Sequence, residues 1–227
     1  MPLVLSLETS TDVCSVALHD NVKLVAQAEI HEPQSHAARL SPMIDQVCRE
    51  AGVELKSVSA VAVSMGPGSY TGLRIGTSTA KGICYALDIP LIAVGTLELL
   101  AFQANSKNAS KSLLCPMIDA RRMEVYCMVF DEGLKIIEPV SARIIDAGSF
   151  AELLEGNRML FAGNGAKKCR EVIRHENAIF LDDLYPQASA LGLMAGKKFR
   201  AGQFEDLIGF RPFYLKEFVA KKAGGGM

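Results

Sequence analysis

The chain has 227 residues, 49% hydrophobic and 22% charged, which is room for one large domain or two small lobes around a sizeable core. Its 24 Lys and Arg stand against 25 Asp and Glu, and a net charge of −1 excludes whole-molecule attraction to nucleic acid, leaving any RNA contact local or supplied by a partner. Apolar runs break well short of the roughly 18 residues a membrane span needs, residues 1–15 carry no basic leader pattern, and the cysteines (Cys14, Cys48, Cys84, Cys115, Cys127, Cys169) form no C-x-x-C pair, so a cytoplasmic protein with reduced core thiols is expected.

Leu3-Val4-Leu5-Ser6-Leu7 reads as a strand ending on Glu8. Thr9-Ser10-Thr11-Asp12 makes a polar turn, the alternation from Val13 to Leu18 a second strand, and Asp20-Asn21 a turn into a third, Val22 to Ile30. A helix from about Ser35 to Ala51 follows, with Leu40, Ile44, Val47 and Ala51 as its apolar stripe. Pro42 leaves two readings of it: a kink there, or a helix that begins at Pro42 with Ser41 as its cap. The β-branched run Val58–Ser64 reads as a buried strand, with Gly66-Pro67 its terminator and Gly68-Ser69 a turn and N-cap.

From Tyr70 to Leu87 the spacing is helical, and Gly72, Gly76, Ala80 and Cys84 recur every four residues on one face. Two glycines inside a helix cost about 1 kcal/mol each relative to alanine, so something must offset them. Close approach of another helix accounts for the whole stripe. A phosphate nest over the loop accounts for Gly66 and Gly68 alone, and no Lys-Ser or Lys-Thr completes a Walker-A loop. A strand Pro90–Val94 and a helix from Thr96 to about Ala104 complete a βββαβαβα lobe over residues 1–104.

The polar run 105–112 breaks all periodicity and reads as a linker. Beyond it the opening returns: Leu114-Cys115-Pro116-Met117-Ile118 ending on Asp119 aligns with Leu3 through Glu8, Ala120-Arg121-Arg122-Met123 stands for the turn, and Val125–Phe130 and Leu134–Ile145 for the next strands. A duplicated two-lobe α/β fold is the simplest account. The second copy, 113–216, reads as shorter, with helices near Ser149–Leu154, Ala166–Arg174 and Gln187–Ala201 around a strand at Met159–Ala162 and little sheet after it. Residues 217–227 have no apolar pattern and are expected to be a disordered tail.

Paired strand–turn–strand units, each with a carboxylate closing the first strand, resemble the actin-like ATPase and sugar kinase architecture, in which two such hairpins clasp a nucleotide's phosphates. Glu8 and Asp119 can hold magnesium through water, or serve only as solvated or capping groups. Gly163-Asn164-Gly165 can approach an adenosine, or simply turn a strand into a helix. His31 and His36 lack the i,i+4 spacing of a helical metal pair, and Ser69 lacks both a G-x-S-x-G frame and a visible base, so neither a metal site nor nucleophilic catalysis is expected. Lys167, Lys168, Arg170 and Arg174, with Lys197, Lys198 and Arg200, make basic helix faces that are either solvated or open to RNA phosphates.

The run Gly66–Gly76 with Ala80-Lys81-Gly82, the opening Leu7-Glu8-Thr9-Ser10-Thr11, Ile118-Asp119-Ala120-Arg121-Arg122 with Glu124-Val125-Tyr126, and Pro212-Phe213-Tyr214-Leu215-Lys216 together resemble, in order and spacing, the motifs of the TsaB (YeaZ) family. The resemblance covers nearly the whole chain. It implies an actin-like (ASKHA) two-lobe fold built on a duplicated ribonuclease H-like motif with a reduced second lobe. It also implies a non-catalytic subunit in threonylcarbamoyl transfer to the adenosine next to the anticodon of tRNAs reading codons that begin with A. The implied partners are the catalytic paralogue TsaD and the small ATPase TsaE, with a homodimer when the chain is alone and tRNA reached only through the complex. Leu40, Met43, Ile44, Val47, Gly72, Gly76 and Ala80 are then expected to form a helical interface, or both faces serve the intramolecular core. Glu8, Asp119, Gly163 and Gly165 would be what remains of a nucleotide site, ATP or ADP with magnesium belonging to the complex rather than to this chain. The competing reading is an ATP-dependent phosphotransferase of the same fold.

Overall fold

The computed structural model describes residues 2–216, so the expectation for 217–227 lies outside the described residues. Among them ten strands form two five-stranded sheets. In the first, β1 (Leu3–Glu8), β2 (Cys14–Asp20) and β3 (Lys23–Ile30) run antiparallel, while β4 (Ala60–Gly66) and β5 (Leu91–Gly95) continue parallel to β1, in the order β3-β2-β1-β4-β5. The second sheet repeats this arrangement with β6 (Leu113–Asp119), β7 (Glu124–Phe130), β8 (Ile136–Ile144), β9 (Met159–Ala162) and β10 (Ala178–Leu181), in the order β8-β7-β6-β9-β10. The inferred duplication is therefore a repeat of topology, and the architecture is the actin-like two-lobe α/β fold.

The reduction of the second lobe lies in its helices. α1 (His36–Glu50) and α2 (Tyr70–Leu87) have 15 and 18 residues, whereas their counterparts α4 (Ala151–Gly156) and α5 (Ala166–Cys169) have 6 and 4. The sheet itself is complete, and β10 corrects the expectation of little sheet after Met159–Ala162. α1 starts after Ser35 and runs through Pro42, which removes one backbone donor without ending the helix.

Strand β1 is buried on both faces, as its near-continuous apolar run requires. On one side α1 and α2 set Leu40, Val47, Ala80 and Cys84 against Leu5, Leu7, Val16 and Val61. On the other, α6 (Ala188–Arg200) sets Leu191 and Ala195 against Val4, Ala60 and Ile92. Its Gly192 lies against the His19 ring, and Lys198 Nζ donates to the Ala93 carbonyl at 2.7 Å. α3 (Thr96–Asn105) turns Leu97, Leu100 and Ala101 toward Leu114, Ile118 and Leu160 of the second sheet. The last helix of each half thus covers the sheet of the other, and both lie between the lobes. No helix among the described residues is long and apolar enough to cross a membrane.

Candidate functional site

The β1–β2 and β6–β7 turns face each other across a cavity of about 500 Å³, lined by Ser10, Thr11, Asp12, Gly68, Ser69 and Tyr70 from the first lobe and by Ile118, Asp119, Arg121, Tyr126 and Asn164 from the second. Phe213, Tyr214, Leu215 and Lys216 complete its wall. The two strand-end carboxylates have different surroundings here. Glu8 is fully buried and does not line the cavity; it accepts from Ser10 N at 2.6 Å and from the hydroxyls of Ser10 and Ser64. Burial pushes its pKa up from 4.5 to about 7, against the lowering effect of the Ser10 side chain and the Ser10 and Thr9 amides. Asp119 lines the cavity, and its Oδ1 accepts from Arg121 N in its own hairpin at 2.9 Å and pairs with Lys168 Nζ of α5. Lys168 also donates to the carbonyls of Arg122 (2.6 Å) and Glu124 (2.7 Å), so it pins a turn in which Arg121 and Arg122 both take positive φ. The basic-face reading of Lys168 missed this role. Among the described residues no group of three or more His, Cys, Asp or Glu side chains is placed to hold a metal ion.

Gly163 and Gly165 serve close packing. A Cβ on Gly163, whose φ is +106°, would overlap the Met117 carbonyl oxygen, and one on Gly165 would lie 2.9 Å from the Ile118 carbonyl carbon. Gly165 N donates to Met117 O (3.1 Å) and Asp119 N to Asn164 Oδ1 (3.1 Å), so this loop is stitched to β6. Of the four residues expected to hold a nucleotide, Asp119 alone lines the cavity.

The small-residue stripe also turns inward. Ser69 caps α2 by accepting from Gly72 N at 3.2 Å, as read from sequence, and Ser69 N donates to Ser10 O at 2.7 Å. A Cβ on Gly72 would overlap the Thr9 carbonyl oxygen, one on Gly76 the Thr9 hydroxyl, and that hydroxyl donates to Gly72 O at 2.8 Å. What approaches the glycines of α2 is therefore the β1–β2 turn of the same chain. Ala80, Leu40, Met43 and Val47 are likewise buried in the first lobe's core, because both helices use their apolar faces to cover the sheet. Between these helices lies an exposed groove of about 530 Å³ floored by Ile44 and Cys48 and walled by Asp45, Arg49, Thr79 and Ile83. Only Ile44 of the seven expected interface residues reaches it. The rest of its lining was not singled out, because a periodic apolar pattern marks the buried face of a helix and is silent about the rim beside it.

Residues 24–224 match the family model described as TsaD, tRNA N6-adenosine threonylcarbamoyltransferase. The chain is 38% identical over 226 residues to the tRNA threonylcarbamoyladenosine biosynthesis protein TsaB of Escherichia coli strain K12, covering 96% of each chain. It is 31% identical over 173 residues to the protein of the same description from Bacillus subtilis strain 168, covering 75% of this chain and 74% of that one. The solved structure of YeaZ from Pseudomonas aeruginosa superposes with a TM-score of 0.83 at 30% identity, covering 95% of this chain and all of that one. With a repeated β-sheet order, a shared cleft between the hairpin turns and this near full-length similarity, the chain belongs to the TsaB (YeaZ) family.

Proposed function

We propose that the chain is a non-catalytic subunit of tRNA threonylcarbamoyladenosine biosynthesis. It binds a TsaD-like catalytic paralogue and supports threonylcarbamoyl transfer to the adenosine next to the anticodon of tRNAs reading codons that begin with A. The observation that carries this reading is the internal commitment of both strand-end carboxylates: Glu8 is enclosed by Ser10 and Ser64, and Asp119 is paired with Lys168. Glu8 is thereby closed off from a substrate, and one oxygen of Asp119 is tied to the fold. The α1–α2 groove, with an apolar floor and a rim carrying Asp45 and Arg49, is the surface that suits a helical partner, either the paralogue or a second copy of this chain. A TsaE-like ATPase is the further partner, ATP or ADP with magnesium acts in the complex, tRNA is reached through it, and the location is cytoplasmic.

Threonylcarbamoyl transfer from threonylcarbamoyl-adenylate to tRNA tests the proposal, comparing this chain, a matching TsaD, and both together with TsaE and ATP. Activity confined to the combined sample is the expected result. Turnover by this chain alone would refute a non-catalytic role.

A further inference from the structure

The actin-like fold implies a nucleotide between the β1–β2 and β6–β7 turns, and the residues there do not fit one. The glycines that would bring backbone up to phosphates already have atoms of this chain in their Cβ space: Phe213 O beside Gly66 at 2.6 Å, Ser10 O beside Gly68, and Met117 O beside Gly163. Of the carboxylates suited to magnesium, Glu8 is enclosed by Ser10 and Ser64 away from the cavity, and Asp119 has one oxygen held by Lys168.

What does reach across the cleft is the C-terminal segment. Glu205 N donates to Leu91 O at 2.9 Å, Lys81 Nζ to the carbonyls of Ile208 (3.0 Å) and Phe210 (3.1 Å), and Phe213 N to Met65 O at 2.7 Å, so the segment is fastened along the first lobe. Tyr214 then lies on the Tyr70 ring, with centroids 4.9 Å apart, and Lys216 pairs with Glu124 at the start of β7 in the second lobe. We infer that Phe213–Lys216 is a built-in clamp that ties the two rims of the cleft together without a bridging ligand, beyond the α3 and α6 packing that joins the lobes. Its first-lobe end is fixed by backbone bonding and an aromatic contact. Among the described residues its second-lobe end is held by the Lys216–Glu124 ion pair, which makes that end the releasable one.

Hydrogen–deuterium exchange on the full chain reads this directly. Glu124→Lys and Lys216→Glu each place like charges at the second-lobe end, and exchange at the opposite turn, Ser10–Asp12, is expected to rise about twofold to fivefold while the amides of β1 and β6 keep their protection. The charge-swapped double variant Glu124→Lys with Lys216→Glu is expected to restore the original rate, which loss of local packing at either residue would not. Unchanged exchange at Ser10–Asp12 in both single variants would overturn the clamp. So would protection of both turns of the unaltered chain by millimolar magnesium-ATP, because a cleft that admits the nucleotide is not held by this segment.

Discussion

Replacing Glu8 with glutamine separates a carboxyl that organises the β1–β2 turn from one that serves a ligand. Burial raises the pKa of Glu8 from 4.5 to about 7, so the folded chain holds this proton more tightly than the unfolded chain does. The stabilisation is fully present below pH 4.5 and is lost as the pH rises to about 7. A difference of about 2.5 pH units at 1.36 kcal/mol each amounts to about 3 kcal/mol. Glutamine keeps an acceptor for Ser10 N and has no proton to lose. Urea unfolding of both proteins from pH 4 to pH 8 should therefore show the original chain losing about 3 kcal/mol relative to Glu8→Gln across that window, and nothing further above it. The difference is the quantity to read, because burial lowers the pKa of His19 and its contribution falls in the opposite direction, as the pH drops. A difference that stays flat between pH 4.5 and pH 7 would refute the enclosed, proton-linked Glu8.

Gly72→Ala drives a Cβ into the Thr9 carbonyl oxygen, and a loss of about 1–3 kcal/mol is expected in chemical denaturation; full stability would mean that the turn does not press on α2. Lys168→Met removes the donor shared by Asp119, Arg122 and Glu124 and should cost about 2 kcal/mol on the same assay, an unchanged midpoint showing that the β6–β7 turn is held otherwise. Thr79→Arg fills the α1–α2 groove from its rim, so affinity for a TsaD-like partner by calorimetry should fall about tenfold or more while the thermal midpoint holds; retained affinity would move the interface elsewhere.

The first lobe was legible where an element is marked twice, by periodicity and by a boundary residue. α2 has a helical apolar spacing and Ser69 as its cap, and β1 has a continuous apolar run closed by Glu8. β10 has neither kind of mark: it is four half-buried residues whose place comes from parallel pairing with β9. α6 was recognised as a helix, yet its sequence gives no hint that it lies on the first sheet, since that contact joins residues such as Ala188 and Ser15, 173 positions apart. The small-residue stripe was seen, and of its two readings the glycines follow the intramolecular one. A row of glycine and alanine states how near something comes without naming it, and here the neighbour of Gly72 and Gly76 is Thr9, through its carbonyl and its side chain. Glu8 and Asp119 were singled out as a matched pair, but whether such a carboxylate is open depends on Ser64 and Lys168, which are 56 and 49 residues away.

The exchange of covering helices has a consequence for how the chain is made. The face of the first sheet bearing Val4, Ala60 and Ile92 is closed by Leu191 and Ala195, which leave the ribosome only after most of the polypeptide has been synthesised. During that interval a finished sheet presents an uncovered apolar surface, the kind of nascent species that chaperones retain and that aggregates when they do not. The two lobes are therefore interdependent in birth as well as in shape, and the N-terminal half expressed by itself is expected to be insoluble.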